Sequence, residues 1–98
     1  MSNYIHEWDE EKNALLKDKF RICFEDVLIA LQSGKLLSEE PHFNQKDYPH
    51  QKIYIVEINE YAYVVPFVIH NAKQSYFLKT IYPSRKHTKL FLTDRHND

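Results

Sequence analysis

The chain has 98 residues, of which 43% are hydrophobic and 28% are charged, with a net charge of −1, and these values predict one globular domain over residues 1–98 rather than a disordered segment. A single cysteine excludes an internal disulfide, and a single glycine excludes the glycine-rich loops that bind phosphates or dinucleotides. No signal peptide is evident, and the longest uncharged, mostly apolar run, Tyr61 to Ile69, falls well short of the roughly 20 residues that span a bilayer, so we expect a cytoplasmic protein without a membrane segment.

The N-terminal third of the chain predicts one short strand and two helices. Residues 3–8 alternate sufficiently to favour a strand. Asp9 then has the character of a helix N-cap, because two glutamates follow it in the first turn, and this helix is predicted over about 10–19. A second helix is predicted over about 24–33 from apolar residues that recur every three or four positions. Gly34 can end it in the left-handed conformation.

The C-terminal half predicts a sheet whose strands are joined by short turns that contain asparagine. The expected strands are Ile53–Ile58, Tyr61–His70 and Ser75–Tyr82. Pro66 has no N–H to donate and is therefore expected at an edge or a bulge. Pro83 ends the third strand, and a last helical turn or short extension is expected over 84–92, before a frayed tail over 93–98.

Helices followed by strands indicate an α+β fold, with two N-terminal helices packed on one face of an antiparallel sheet of three to four strands.

Between the helices and the strands, Ser38 to Lys52 contains two prolines and no sustained period, so we expect an irregular segment. Loops of this length in a compact domain are often functional, and we expect this one to border the basic surface and shape access to it. The alternative is that Phe43 and Tyr48 pack on the sheet as plain cover.

Positive charge is concentrated near the C-terminus. Residues 1–60 hold seven basic and twelve acidic residues, a net charge of −5, whereas residues 73–98 hold six basic and two acidic residues, a net charge of +4. This asymmetry suggests one face for a polyanion and another for a basic partner. The alternative is a basic C-terminus that only improves solubility or neutralises the acidic half. The densest cluster of cations is Arg85, Lys86 and Lys89.

The residue types around this cluster are those that RNA cleavage requires. A 2′-hydroxyl must lose a proton, a pentavalent phosphate must be stabilised and a leaving oxygen must gain a proton. Arginine holds a phosphate with a planar fork, histidine titrates near neutral pH, and tyrosine can stack on an unpaired base. The candidate catalytic residues are Arg85, His87, Lys79 and Tyr82. The candidate RNA-binding residues are Lys86, Lys89, Ser84 and Tyr76. His70 and Tyr63 are further candidates for proton transfer and for stacking.

Metal chemistry is not indicated by the spacing of possible ligands. His42 and His50 lie eight positions apart, and neither Cys-x-x-Cys nor His-Glu-x-x-His occurs, so we expect no metal and no cofactor. Cys23 stands at a helix start, where the pKa of a thiol can fall. Its neighbours Ile22 and Phe24 favour a buried filler instead.

Two motifs resemble those of BrnT-type toxins. The first begins with Trp8 to Lys12 (WDEEK) and continues with Ile22 to Asp26 (ICFED), which is similar to the family's Trp-Asp-x-x-Lys opening and the start of its second helix. The second is Pro83 to Thr88 (PSRKHT), which resembles the family's closing Ser-Ala-Arg-Arg-Ala-Thr segment. The resemblance covers about residues 4–89 and includes the order of helices and sheet.

The resemblance implies a RelE-like, metal-independent ribonuclease, the toxin of a type II toxin–antitoxin pair, which cuts RNA to stop translation. Its partner would be a small antitoxin, commonly of the ribbon-helix-helix type, so that operator DNA is contacted only through the antitoxin. It also implies that Arg85 stabilises the phosphate and Lys86 assists, whereas His87 has no counterpart in the family. The chain departs from the family at Phe20-Arg21 and at Phe91, which leaves open the alternative of a non-catalytic module that binds a small DNA-binding protein.

Overall fold

The computed structural model describes residues 4–93. The helices within this range are α1 (Glu10–Phe20), α2 (Phe24–Gln32) and α3 (Arg85–Leu92). The strands are β1 (Ile5–Glu7), β2 (Leu36–Pro41), β3 (Gln51–Ile58), β4 (Tyr61–His70), β5 (Ser75–Leu78) and β6 (Tyr82–Pro83). The α+β class is therefore confirmed. Asn3 of the predicted first strand, and the predicted tail apart from Thr93, lie outside the described residues.

The strands form one mixed sheet in the order β1-β5-β4-β3-β2, with β6 beside β4. β1 runs parallel to β5, and the other pairs are antiparallel. The prediction of an antiparallel sheet of three to four strands is thus corrected to a mixed sheet of six. The β2 strand escaped prediction because it is an edge strand with half-buried or exposed residues, and because a bulge between Leu36 and Ser38 interrupts its alternation.

Local capping signals place the two N-terminal helices as predicted. The Asp9 carboxylate accepts hydrogen bonds from the N–H groups of Glu11 (2.8 Å) and Lys12 (3.3 Å) at the start of α1. Asn13, a buried residue of α1, accepts a hydrogen bond from the Phe24 N–H at 2.7 Å. This bond joins α1 to the start of α2.

Two chain reversals contain residues with a positive φ. Gly34 follows α2 with a φ of 73°, and the Asn59-Glu60 pair connects β3 to β4 with φ values of 54° and 63°. Two successive positive φ values give a hairpin turn that matches the right-handed twist of the strands. This chain reversal is therefore encoded locally, as the sequence predicted.

The sheet has two faces with separate cores, because successive residues of a strand point to opposite sides. The helix-pair face is packed by α1 and α2, and its buried strand residues include Tyr54, Val56, Val65 and Phe67. The α3 face is opposite, and its buried residues are Ile53, Ile55, Ala62, Val64 and Leu92.

Pro66 lies inside the central strand β4, which corrects the prediction of an edge or bulge position. Its carbonyl accepts a hydrogen bond from the Lys79 N–H at 2.8 Å, and the N–H that proline lacks would point to the same side. On that side β5 pairs with β4 from Phe67 onward and β6 pairs with it up to Val64. Position 66 therefore faces the break between β5 and β6, where no ladder hydrogen bond is lost, and the strand predicted over 75–82 is divided in two.

The α3 helix is complete, where the sequence predicted only a last turn or short extension. It is amphipathic: Leu92 is buried against the sheet, whereas Leu90 is 63% exposed. Among residues 4–93 no helix has the length and apolar character that crossing a membrane requires.

Candidate nucleic-acid interface

The start of α3 is fixed to β4 by a small group of hydrogen bonds. The Ser84 N–H donates to the Ala62 carbonyl, and the Ala62 N–H donates to Thr88 Oγ1, each at 2.9 Å. The Thr88 hydroxyl in turn donates to the Ser84 carbonyl at 2.8 Å. Thr88 is thus a positioning residue that the sequence analysis did not select, although the four-residue spacing from a capping serine was an available signal. The first turn of α3 therefore rests on a central strand of the sheet.

Ser84 is the N-cap of α3 and also holds the ring of His87. Its hydroxyl accepts a hydrogen bond from the His87 N–H at 3.1 Å and lies 2.6 Å from His87 Nδ1. A hydroxyl can donate to an unprotonated ring nitrogen or accept from a protonated one, so this contact suits both protonation states of the ring. The Ser84 hydroxyl, selected as an RNA-binding group, is therefore engaged within the chain.

Positive charge fills the first turn of α3. Arg85 and Lys86 are its first two residues, both are exposed, and no acid lies in that turn. The N-terminus of a helix carries a partial positive charge, so acids are favourable there and cations are not. The arrangement weakens the helix slightly and attracts an anion such as a phosphate.

Arg85 and His87 lie on opposite flanks of α3. Two positions correspond to about 200° around a helix, so residues this far apart do not face each other. Lys89 shares the flank of Arg85, whereas the His87 ring is parallel to the ring of Phe91, with centroids 6.2 Å apart and an interplanar angle of 7°. Because helical side chains tilt toward the N-terminus, the open end of α3 is the place where both flanks can reach one ligand.

Lys79 and Tyr82 line a single groove on the α3 face. Lys79 is exposed, and its Nζ lies 5.5 Å from the centroid of the Phe77 ring. Tyr82 is half-buried against the α3-face core, and burial raises the pKa of its phenol. A phenol keeps its proton at neutral pH even at its ordinary pKa of about 10, so Tyr82 can donate a hydrogen bond to a phosphate or a base edge.

Tyr76 lies away from this group. Its ring stacks on that of Tyr4 (4.9 Å between centroids) and packs at the helix-pair face. Tyr76 pairs with Ile69 of β4. Pro83 of β6, which lies just before α3, pairs with Tyr63 of the same strand. Six positions along a strand span about 20 Å, so the structure does not bring Tyr76 to the first turn of α3.

The two further candidates also lie elsewhere. His70 is exposed at the end of β4 that pairs with β5. Tyr63 packs at the helix-pair face, and burial raises the pKa of its phenol. Tyr63 pairs with Pro83 beside the start of α3, but its side chain lies on the opposite face of the sheet from the α3 core.

The irregular segment is shorter than predicted. Residues 42–50 alone separate β2 from β3. Phe43 is 74% exposed, so the alternative in which it packs on the sheet as plain cover is wrong. The segment instead forms one wall of the groove that contains Lys79 and Tyr82. The volume of this groove is about 390 Å³.

The described residues also bear on metal binding and on the reactivity of Cys23. Within residues 4–93, no three or more His, Cys, Asp or Glu side chains are grouped so as to hold a metal ion. Burial raises the pKa of the Cys23 thiol, so this cysteine lacks the lowered pKa of a reactive nucleophile.

Comparisons with family models, with curated proteins and with solved structures gave no match.

Proposed function

We propose that this chain is a metal-independent ribonuclease, the toxin of a type II toxin–antitoxin pair of the BrnT type, which cuts RNA to stop translation until a cognate antitoxin binds it. One observation carries the proposal: Arg85, Lys86 and His87 form an acid-free first turn on a helix that is fastened to the central strand. The same residues belong to the second motif that resembles BrnT-type toxins.

The first turn of α3 supplies the groups that stabilise the phosphate and exchange one of the two protons of the cleavage step. The 2′-oxygen bonds to phosphorus as the bond from phosphorus to the 5′-oxygen breaks, so one proton leaves the 2′-hydroxyl and one reaches the 5′-oxygen. Arg85 and Lys86 stabilise the charge on the pentavalent phosphate. His87 exchanges one of the protons, because its contact with Ser84 suits both states of the ring.

The second proton has two candidate carriers on the neighbouring groove. Lys79 is exposed, and Tyr82 presents a phenolic hydroxyl to the same groove. Either can donate to the leaving oxygen. Tyr76 is left out of this assignment because it lies at the helix-pair face.

Charge also suits the chain to a protein partner. Arg85, Lys86 and Lys89 are exposed on α3, and they repel one another unless an anion lies nearby. An antitoxin of the ribbon-helix-helix type would relieve this repulsion with an acidic or extended segment that covers the first turn of α3. Operator DNA would then be bound by the antitoxin and not by this chain.

Induced expression of the chain alone tests the proposal. We expect growth arrest and fragmented RNA with the wild type and with Lys17→Ala, a matched loss of an exposed lysine on α1. Arg85→Ala should allow growth and leave RNA intact. Intact RNA and normal growth while the folded wild-type chain accumulates would overturn the proposal.

A non-catalytic interaction module is the second candidate function. The observation that favours it is the placement of Arg85 and His87 on opposite flanks of α3, where a single phosphate meets both only at the open end of the helix. A purified wild-type chain that binds the product of a neighbouring reading frame, but leaves RNA uncut, would establish this function instead.

A further inference from the structure

We infer that the groove between residues 42–48 and the β5–β6 connection binds one unpaired nucleobase of an RNA strand, together with the phosphate next to it. The inference deepens the proposed function and rests on it, since it names a substrate subsite beside the first turn of α3.

The outer wall of the groove is a set of aromatic rings that are already ordered. The His42 ring is 7% exposed and contacts the rings of Phe43 and Tyr48, with centroids 4.5 Å and 4.6 Å away. His42 Nδ1 also accepts a hydrogen bond from the Asn44 N–H at 3.0 Å. Phe43 and Tyr48 are 74% and 44% exposed, so flat apolar surface faces solvent at low entropic cost. Such rings are the usual platform for an unpaired base.

The segment that carries these rings is a compact turn. The Gln45 side chain donates to the His42 carbonyl at 2.7 Å, and the Asn44 and Asp47 side chains join at 3.0 Å. The Tyr48 N–H donates to the Asn44 carbonyl at 2.9 Å. These bonds shape the backbone on either side of Phe43, and the Phe43 ring itself stacks on the ring of His42.

The rest of the groove matches the remaining parts of a nucleotide. Its lining includes one basic residue, Lys79, and no acidic residue. The groove therefore favours an anionic group such as a phosphate over a cationic ligand. Gln51 and Thr80 supply an amide and a hydroxyl for the edges of a base. The volume of about 390 Å³ lies at the small end of the range of about 300–1,000 Å³ for ligand pockets, which suits one nucleotide better than a folded peptide.

The position of the groove links it to the candidate catalytic residues. Tyr82 lies in the groove and is separated from the N-cap Ser84 by Pro83 alone. Tyr82 is at the end of the groove nearest α3, whereas the His42 N–H bonds to the Gln51 carbonyl, and Gln51 pairs with Val68, six positions and about 20 Å along β4 from Ala62. An RNA strand whose phosphate lies at the open end of α3 therefore passes Tyr82 first and reaches the aromatic rings a few nucleotides farther along. A base held there would set which phosphate meets Arg85.

The test measures the affinity of a fluorescein-labelled, single-stranded decaribonucleotide for the purified chain. Phe43→Ala should weaken binding about 5- to 160-fold, which is the stacking free energy of about 1–3 kcal/mol per base. The control is Leu15→Ala, which removes a side chain of similar exposure, 63%, from α1. It should leave the affinity unchanged. Equal affinities of Phe43→Ala and wild type would overturn the inference.

Salt dependence tests the phosphate contact separately. Loss of one contact should lower the slope of log affinity against log salt concentration by about 0.7 for a single strand, so we expect this change with Lys79→Gln. Lys17→Gln, with the same loss of charge on α1, should keep the wild-type slope. An unchanged slope for Lys79→Gln would contradict the assignment of Lys79 to a phosphate.

These measurements separate the inference from the proposed function. Weaker RNA binding by Phe43→Ala supports the subsite even if the wild-type chain leaves RNA uncut. If Arg85→Ala abolishes RNA cleavage, whereas Phe43→Ala changes neither cleavage nor the affinity for RNA, the proposed function stands and the subsite is overturned. Loss of antitoxin binding by Phe43→Ala, without loss of RNA binding, would make the groove a protein-docking surface and overturn the inference.

Discussion

The two faces of the sheet are covered in different ways. On the helix-pair face, α1 and α2 enclose the larger core, with twelve buried residues among those described, against five on the α3 face. α3 has eight residues and is about 12 Å long, whereas a strand of ten residues such as β4 extends for about 33 Å. One short helix cannot cover that face, and the part it leaves open is the groove beside segment 42–48.

The two faces therefore differ in role: one mainly stabilises the fold, and the other carries the candidate site. The helix-pair face holds the rings and aliphatic side chains that fix the fold. The α3 face is incompletely covered, and Arg85, Lys86 and Lys79 lie on or beside it. Substitutions should therefore act mainly on unfolding on one side of the sheet and mainly on RNA on the other.

The largest effect on stability is expected at Phe24. Its side chain is fully buried on the helix-pair face, and Phe24→Ala should lower the free energy of unfolding by about 3–5 kcal/mol. Phe43→Ala, which removes a 74% exposed ring, should change it by less than about 0.5 kcal/mol. Urea unfolding measures both values. Equal losses would show that segment 42–48 supports the fold.

A smaller loss is expected on the α3 face at Leu92. It is 3% exposed in the smaller core, so Leu92→Ala should cost about 2 kcal/mol, at the low end of the range for leucine. Leu90→Ala, at 63% exposure on the same helix, should be nearly neutral. Thermal unfolding with circular dichroism compares the two. A loss at Leu92 as large as at Phe24 would contradict the ranking of the two cores.

The smallest effect is a pH dependence at His6. Burial lowers the pKa of this ring, and its Nε2 lies 3.1 Å from the hydroxyl of Tyr54. A lowered pKa means that the unfolded chain binds more protons, so stability falls as the pH drops below the unfolded pKa of about 6.5. Wild type should lose more stability than His6→Gln between pH 7 and pH 5. Parallel pH profiles would show that His6 is not coupled to folding.

Local signals predicted the parts of the fold that depend on neighbouring residues. Asp9 and Gly34 marked helix ends, and the Asn59-Glu60 pair marked a hairpin turn, because each acts on the backbone within a few residues of itself. The edge strand β2 and the complete helix α3 were not predicted. Their apolar residues are few, and tertiary contacts such as that of Leu92 with the sheet decide their conformation.

The candidate site shows the same limit. The first turn of α3 could be selected from its charge and residue types, yet nothing in the sequence excluded Tyr76. Tyr76 and Tyr82 are six positions apart, and an unbroken strand would place them on one face. The break between β5 and β6, opposite Pro66, puts them on opposite faces instead. The role of Thr88 depends on the N–H of Ala62, which lies far away in the sequence.

The central claim is that the first turn of α3 stabilises the phosphate at which RNA is cut. RNA cleavage by purified, folded Arg85→Ala protein tests it most directly. We predict a rate about 10²- to 10³-fold below wild type, partial recovery in Arg85→Lys because the two-pronged contact is lost, and a wild-type rate for Lys17→Ala. The melting temperature of Arg85→Ala should be nearly unchanged, since Arg85 is exposed. A wild-type rate for Arg85→Ala would contradict the claim and leave the non-catalytic interaction module as the better account of this chain.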